Sequence, residues 1–168
     1  MKYFTYFPQI EYSNNLVTNL MVRTRIRDSV LKNTVVYYPY VVTDEDRADI
    51  IAHKYYGDPG RAWLIFYANE IVDPIFDWPL TYTELMRHLE YKYGSIPTAH
   101  QTIHNYYNIS DQVIDYTTYL TLADNERYTK TKYEYEMEAN EAKRAIQLIE
   151  DIYVPQILEE LRSLFDDE

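Results

Sequence analysis

Cysteine is absent from this chain, which excludes disulfide scaffolds, thiol nucleophiles, iron–sulfur clusters and cysteine-based zinc sites. Glycine is nearly absent, with 3 in 168 residues, and none stands in a phosphate-cradling pattern. Gly57 and Gly94 read as helix terminators and Gly60 lies in the corner between helices. Cations are scarce: 16 Lys and Arg face 27 Asp and Glu, a formal charge of −11. That balance is the opposite of a nucleic-acid footprint, so no nucleic-acid partner is expected. Long apolar runs are missing too. Val35–Val42 and Ala62–Ala68 are far too short to span a bilayer, and Pro8 and Glu11 interrupt any signal-peptide apolar region. The expectation is a soluble protein without a membrane partner, made and kept in a cytoplasm or released by lysis.

What the chain has in excess is tyrosine, 20 of them beside 5 Phe and 2 Trp. Tyrosine combines an apolar body, a polar tip and little rotamer entropy to lose, so it suits protein–protein interfaces. Half-buried strand and core positions account for about half of the tyrosines, and interface is the expected use of the rest. With 46% hydrophobic residues the chain can bury a core, which excludes wholesale disorder. Charge is uneven along it. Residues 1–34 carry five basic and two acidic residues, residues 35–125 five and thirteen, and residues 126–168 six and twelve. A basic arm therefore precedes an acidic body, and could dock on that body or on an acidic neighbour.

The predicted fold class is α+β. Residues 1–34 read as an extended arm, with Leu20, Val22, Thr24, Ile26 and Ser29–Val30 alternating against Arg23, Arg25 and Arg27 in a pattern that suits a strand and would tolerate a helix. Val35 to Val42 is β-branched and aromatic, a strand that Pro39 confines to an edge or bulge. Thr43 and Asp44 offer N-cap oxygens for a helix whose Ala48, Ile51, Ala52 and Tyr55 make one buried stripe. Asp58 and Pro59 restart a helix carrying Trp63, Phe66 and Tyr67, apolar nearly all round. Asn69 to Pro74 turns the chain, and Ile75–Trp78 is expected as a second strand. Residues 35–80 thus form a compact strand–helix–helix–strand module. Thr81 and Glu84 match a capping box for a further helix over 81–94. Residues 95–132 read as strands and turns, with Ile103–Tyr107, Val113–Tyr116 and Tyr128–Tyr133 the strand segments. Residues 133–168 read as a long C-terminal helix, with Met137, Arg144, Leu148 and Ile152 recurring at helical spacing and Pro155 interrupting it.

Chemistry has little to work with. His100 and His104 have an i, i+4 metal-ligand spacing, but their segment looks extended and no third ligand is evident. No serine sits in a nucleophile-elbow pattern, and the carboxylates Glu45, Asp46 and Asp49 suit the positive end of a helix dipole better than acid–base work. No catalytic residue, metal or cofactor is expected.

One constellation is specific. Asp46, Arg47, Tyr55, Tyr56, Gly57, Asp58, Pro59, Trp63, Asn69, Asp73 and Trp78, in this order and spacing, resemble the baseplate wedge protein 53 family of contractile-tailed bacteriophages. The opening Tyr3, Phe4 and Phe7 resemble that family's aromatic N-terminus, and Tyr133, Tyr135, Asn140, Lys143 and Arg144 its C-terminal helix. The resemblance implies a LysM-like module within a structural virion component of the tail baseplate, assembled in the host cytoplasm and present in several copies through baseplate symmetry. It implies a clamp or connector that binds other wedge, sheath-like and tube or hub proteins, and no catalysis. Arg23, Arg25 and Arg27 join the aromatic N-terminus and the Tyr133–Arg144 set as expected contact residues. The rival reading is a LysM-type carbohydrate-binding module recognising N-acetylglucosamine in peptidoglycan, although such modules usually recur in tandem or ride on a hydrolase. A third is a cytoplasmic adaptor of non-viral origin.

Overall fold

The computed structural model describes residues 3–22 and 36–166. It is an α+β protein whose chain divides into two compact units: Met1–Trp78 with Ala145–Glu168, and Pro79–Arg144 between them. The expected strand or helix through Thr24, Ile26, Ser29 and Val30, with Arg23, Arg25 and Arg27, lies outside the described residues.

The first unit opens with a 3-10 turn (Tyr3–Tyr6) and a hairpin of β1 (Gln9–Tyr12) and β2 (Asn15–Thr18). Ser13 and Asn14 both have positive φ, 50° and 62°, the geometry of a two-residue loop whose twist matches the strands it joins. Strand β3 (Tyr37–Val41) forms where the β-branched and aromatic run predicts it. Helix α1 (Ala48–Tyr56) starts later than expected: Arg47 is its N-cap, in extended conformation and without a side-chain capping bond. Gly57 closes it at φ 72°, a left-handed conformation in which any side chain would be strained. A 3-10 turn (Pro59–Arg61) leads into α2 (Ala62–Ala68), where Trp63, Leu64, Ile65 and Ala68 are all buried.

The second strand is not where the sequence places it. Residues 74–77 form a turn, in which Asp73 and Asp77 take the N–H groups of Val72, Asp73, Ile75, Phe76 and Asp77 locally instead of leaving them to a ladder. The partner of β3 is instead β7 (Ala145–Ile149), paired antiparallel with Tyr37 opposite Ile149 and Val41 opposite Ala145. The helix expected to run from Glu134 through Ile152 is therefore broken. Ile146 and Leu148 face the core while Ala145 and Gln147 face out, a period of two that a helical stripe through Leu148 had masked. A 3-10 turn (Asp151–Tyr153) then starts the C-terminal helix, which follows as α7 (Val154–Asp166). Pro155 occupies its first turn rather than interrupting it, a place where the missing N–H has no intrahelical acceptor to lose. Val42, Ile51, Leu64, Ile65, Leu148, Ile149 and Val154 form the centre of one continuous core.

The second unit begins with α3 (Tyr82–Tyr93), which has the predicted capping box at Thr81 and Glu84 and a left-handed Gly94 at its end. Helix α4 (Ile96–Gln101), capped by Ser95, was not anticipated. Strands β4 (Ile103–Asn108), β5 (Val113–Ile114) and β6 (Arg127–Thr131) make an antiparallel sheet in the order β5-β4-β6. Between β5 and β6 lies α5 (Tyr116–Thr121), whose first N–H groups bond to Asp115. Helix α6 (Lys132–Ala142) opens on a second capping box, Thr131 with Glu134. Its small core is Leu85, Leu89 and Ala99, with Leu80, Met86, Tyr93, Tyr133 and Met137 packed around them.

Candidate interaction surfaces

The signature residues are fasteners of the first unit. Tyr56 is buried at the end of α1 and its hydroxyl donates to the Ile149 carbonyl at 2.9 Å, joining α1 to β7. Burial pushes its phenol well above the ordinary tyrosine range, so it stays a neutral donor. Tyr55 packs edge-on against Tyr56 at 4.9 Å and stacks with Tyr38 at 5.9 Å. Asp58 accepts from Gly60 N–H at 2.8 Å, which with Pro59 sets the corner after Gly57. Arg61 then donates to the Tyr56 carbonyl and to Asp151, both at 3.2 Å. Trp63 is buried against Tyr67.

Asp46 caps no helix; it is 6% exposed and organises the β3–α1 connection. Its Oδ2 accepts from Tyr40 hydroxyl (2.9 Å), Thr43 N–H (3.0 Å) and Thr43 hydroxyl (2.8 Å), and Oδ1 accepts from Lys54 (3.2 Å). Burial alone would raise its pKa, but these bonds outweigh it and hold the carboxyl at about 2. The indole of Trp78 reaches the Asp46 carbonyl at 3.4 Å. Arg47 is exposed and pairs with Asp49.

Asn69 closes α2 and pairs with β7. Its side-chain amide donates to the Gln147 carbonyl at 2.8 Å and to Ile65, and its Oδ1 accepts from Gln147 N–H at 2.7 Å. Past it, Asp73 Oδ1 accepts from Ile75 N–H and Asp77 Oδ2 accepts from Val72 and Asp73 N–H. The loop so held carries Val72, Ile75 and Phe76 outward at 72, 74 and 69% exposure. Sequence reasoning missed this feature. Its only signal was an apolar triplet set among carboxylates.

In the second unit Asn140 repeats the pattern. It is buried, its Oδ1 accepts from Leu80 N–H at 2.7 Å, and its amide donates to the Leu80 carbonyl at 2.9 Å. Expected as a contact residue, it works inside the unit instead. Arg144 reaches the same carbonyl at 3.4 Å and pairs with Glu141 at 2.9 Å, while Lys143 caps the end of α6. Glu136 ties α6 to α3 through Lys92 and Tyr93, both at 2.7 Å. Burial acts to raise its pKa, but those two bonds and the nearby charges leave it below the ordinary glutamate range.

The tyrosine surplus is largely engaged within this unit. Tyr106 packs on Tyr116 and Tyr119, Tyr107 stacks on Tyr128 at 5.3 Å, and Lys130 lies over Tyr107 at 5.1 Å. Tyr133 stacks on His100 at 3.8 Å and Tyr135 on His104 at 3.7 Å. The two histidines thus serve as ring partners, His100 on α4 and His104 on β4. These rings supply packing that a core of few aliphatic side chains lacks.

At the N-terminus Phe7 is buried, with Phe4 packed edge-on at 5.3 Å and half exposed. Tyr3 stands at the start of the 3-10 turn, which packs against α7. The hairpin beyond presents Tyr12 and Leu16 to solvent. Arg23, Arg25 and Arg27 lie outside the described residues.

Among the described residues no group of three His, Asp or Glu is placed to hold a metal ion, and no helix is long and apolar enough to cross a membrane. The hydrogen-bonding side chains therefore hold the two units in shape, while large apolar groups stand exposed. A search among curated proteins finds no match. The model of the family described as base plate wedge protein 53 matches residues 2–158, nearly the whole chain, and the protein accordingly belongs to that family of structural components of the phage tail baseplate.

Proposed function

We propose that this chain is a connector of the baseplate wedge, binding other wedge, sheath-like or tube and hub subunits during tail assembly in the host cytoplasm, in several copies set by baseplate symmetry. The observation that carries the reading is the division of labour among its residues. Asp46, Tyr56, Asn69 and Asn140 are committed to internal hydrogen bonds, whereas Tyr12, Leu16, Ile75, Phe76, Val113 and Leu120 are exposed. Large apolar side chains exposed in this number favour lasting contact with other proteins over catalysis. The order β3, α1, α2, β7 supports a LysM-like core at the centre of the connector, used as a scaffold.

Immunogold labelling of intact virions with antibodies to this chain tests the reading. Label confined to the baseplate end of the tail is the expected result. Label absent from the virion, with the protein recovered only from the host lysate, would contradict it.

A further inference from the structure

The hairpin of β1 and β2 is a two-stranded ribbon whose residues are all exposed. No third strand joins it among the described residues, and its two strands make their principal contacts with each other. The register fixes where its backbone groups point. Asn19 N–H bonds the Pro8 carbonyl at 2.8 Å, so further along the same ladder Ile10 with Val17 and Tyr12 with Asn15 are the bonded pairs. Gln9 and Glu11 on one edge, and Leu16 and Thr18 on the other, therefore turn their N–H and C=O groups outward. Among the described residues nothing meets them.

The other sheet of the same unit is blunted on both sides. Pro39 removes a donor from the outer edge of β3, and the side chain of Asn69 occupies the outer edge of β7. β2 has neither device. From Asn14 to Val22 there is no charged residue and no proline, and Leu16, Leu20 and Met21 are 72, 65 and 88% exposed. An uncharged edge without such protection is a template for another strand. The β1 edge is less suited, since Glu11 stands on it.

Charge narrows the occupant. The first charged residues after Glu11 are Arg23, Arg25 and Arg27, and residues 1–34 carry five basic and two acidic residues in a chain of net charge −11. Two such edges brought together from two copies would set like charge beside like charge, whereas a segment bearing Asp or Glu is attracted.

We infer that the β2 edge receives an extended segment of another baseplate protein, flanked by Asp or Glu, which adds to the hairpin as a third strand through the N–H and C=O groups of Leu16 and Thr18. This rests on the connector role proposed above. Main-chain bonds supply affinity in such an addition, and the incoming strand gives the ribbon the third member that a hairpin needs to be stable in water.

The test uses the full chain and, as probe, the wedge complex assembled from the other wedge proteins of the same phage. Thr18→Pro removes one outward donor and leaves the bonds within the hairpin in place, while Thr18→Ala keeps that donor. At wild-type Tm, Thr18→Pro should raise Kd at least ~10-fold and Thr18→Ala by less than about twofold. Wild-type affinity should fall several-fold from low to moderate salt. Amide hydrogen exchange needs no variant: the N–H groups of Leu16 and Thr18 should exchange at least ~10-fold more slowly in the complex than in the free chain. Unchanged exchange at both, or Thr18→Pro bound as tightly as the wild type, would discard the edge and leave the connector role standing. Binding indifferent to salt would discard the acidic flanks. A wild type that does not bind contradicts the connector role and the edge together. Self-association of the wild type that Thr18→Pro abolishes, with wedge binding kept, would assign the edge to a second copy and overturn the proposal.

Discussion

The side-chain amide of Asn69 pairs with both backbone groups of Gln147, accepting from its N–H at 2.7 Å and donating to its carbonyl at 2.8 Å. Gln147 stands opposite Pro39 in the β3–β7 ladder. With both groups of Gln147 turned toward Asn69, this is a position where the ladder asks nothing of the residue across from it, so Pro39 fits without losing a bond. One asparagine thus does the work of a third strand on the outer edge of β7. Asn69→Ala should destabilise the protein by about 1–2 kcal/mol. Asn69→Asp should do no better, since a carboxylate cannot donate to the Gln147 or Ile65 carbonyls. Urea denaturation of both variants checks this.

Tyr37 offers the opposite case. Its side chain lies in the core and, among the described residues, its hydroxyl has no hydrogen-bond partner; burial pushes its pKa up. Tyr37→Phe removes the unsatisfied oxygen and keeps the ring, so it should leave stability unchanged or raise it by up to about 1 kcal/mol. A Tm below that of the wild type would show that the hydroxyl is bonded in solution.

Asp46 makes stability pH-dependent. Its carboxyl is held at about 2, below the ordinary value of 3.8. A depressed pKa gives stability that is fully present above the unfolded value and is lost as pH falls through the folded one. The contribution is about 2 kcal/mol at neutral pH and should disappear between about pH 4 and about pH 2. Asp46→Asn should therefore be less stable than the wild type at pH 7, with the gap narrowing through that window. Denaturant melts of both proteins along a pH series provide the measurement.

Arg144 lies just beyond the C-cap of α6 and is fastened within its unit. Arg144 bonds Glu141 and the Leu80 carbonyl, and its side chain is largely covered. Arg144→Glu should cost about 1–3 kcal/mol, because it removes both bonds and sets a carboxylate against Glu141 and a carbonyl oxygen. Comparing Tm with incorporation into tails for this variant separates a folding defect from an assembly defect.

Much of the fold was legible wherever a local rule decided it. The capping box at Thr81, the left-handed glycines after α1 and α3, and the buried α2 follow from short-range chemistry that no distant contact overrides. Position 75 onward misled because Ile-Phe-Asp-Trp has strand composition, while Asp73 and Asp77, two to five residues from the N–H groups they take, decide the backbone. Residues 145–149 misled because Leu148 falls on a helical stripe as well as on a strand face. The correct partner for β3 lies more than a hundred residues away, and no local pattern reports such a pairing. Asn140 was legible as notable but not as buried. Its environment is set by Leu80, sixty residues earlier. The exposed triplet at Val72, Ile75 and Phe76 left no periodic signal, since its orientation comes from a turn.

The most direct test of the central claim, that this chain is an assembly component of the baseplate, is electron microscopy of tails made by a phage whose copy of the gene is silenced. The account predicts no completed baseplates and no contractile tails, with both restored by the wild-type chain supplied in trans. Normal tails with intact baseplates, formed without the protein, would contradict it.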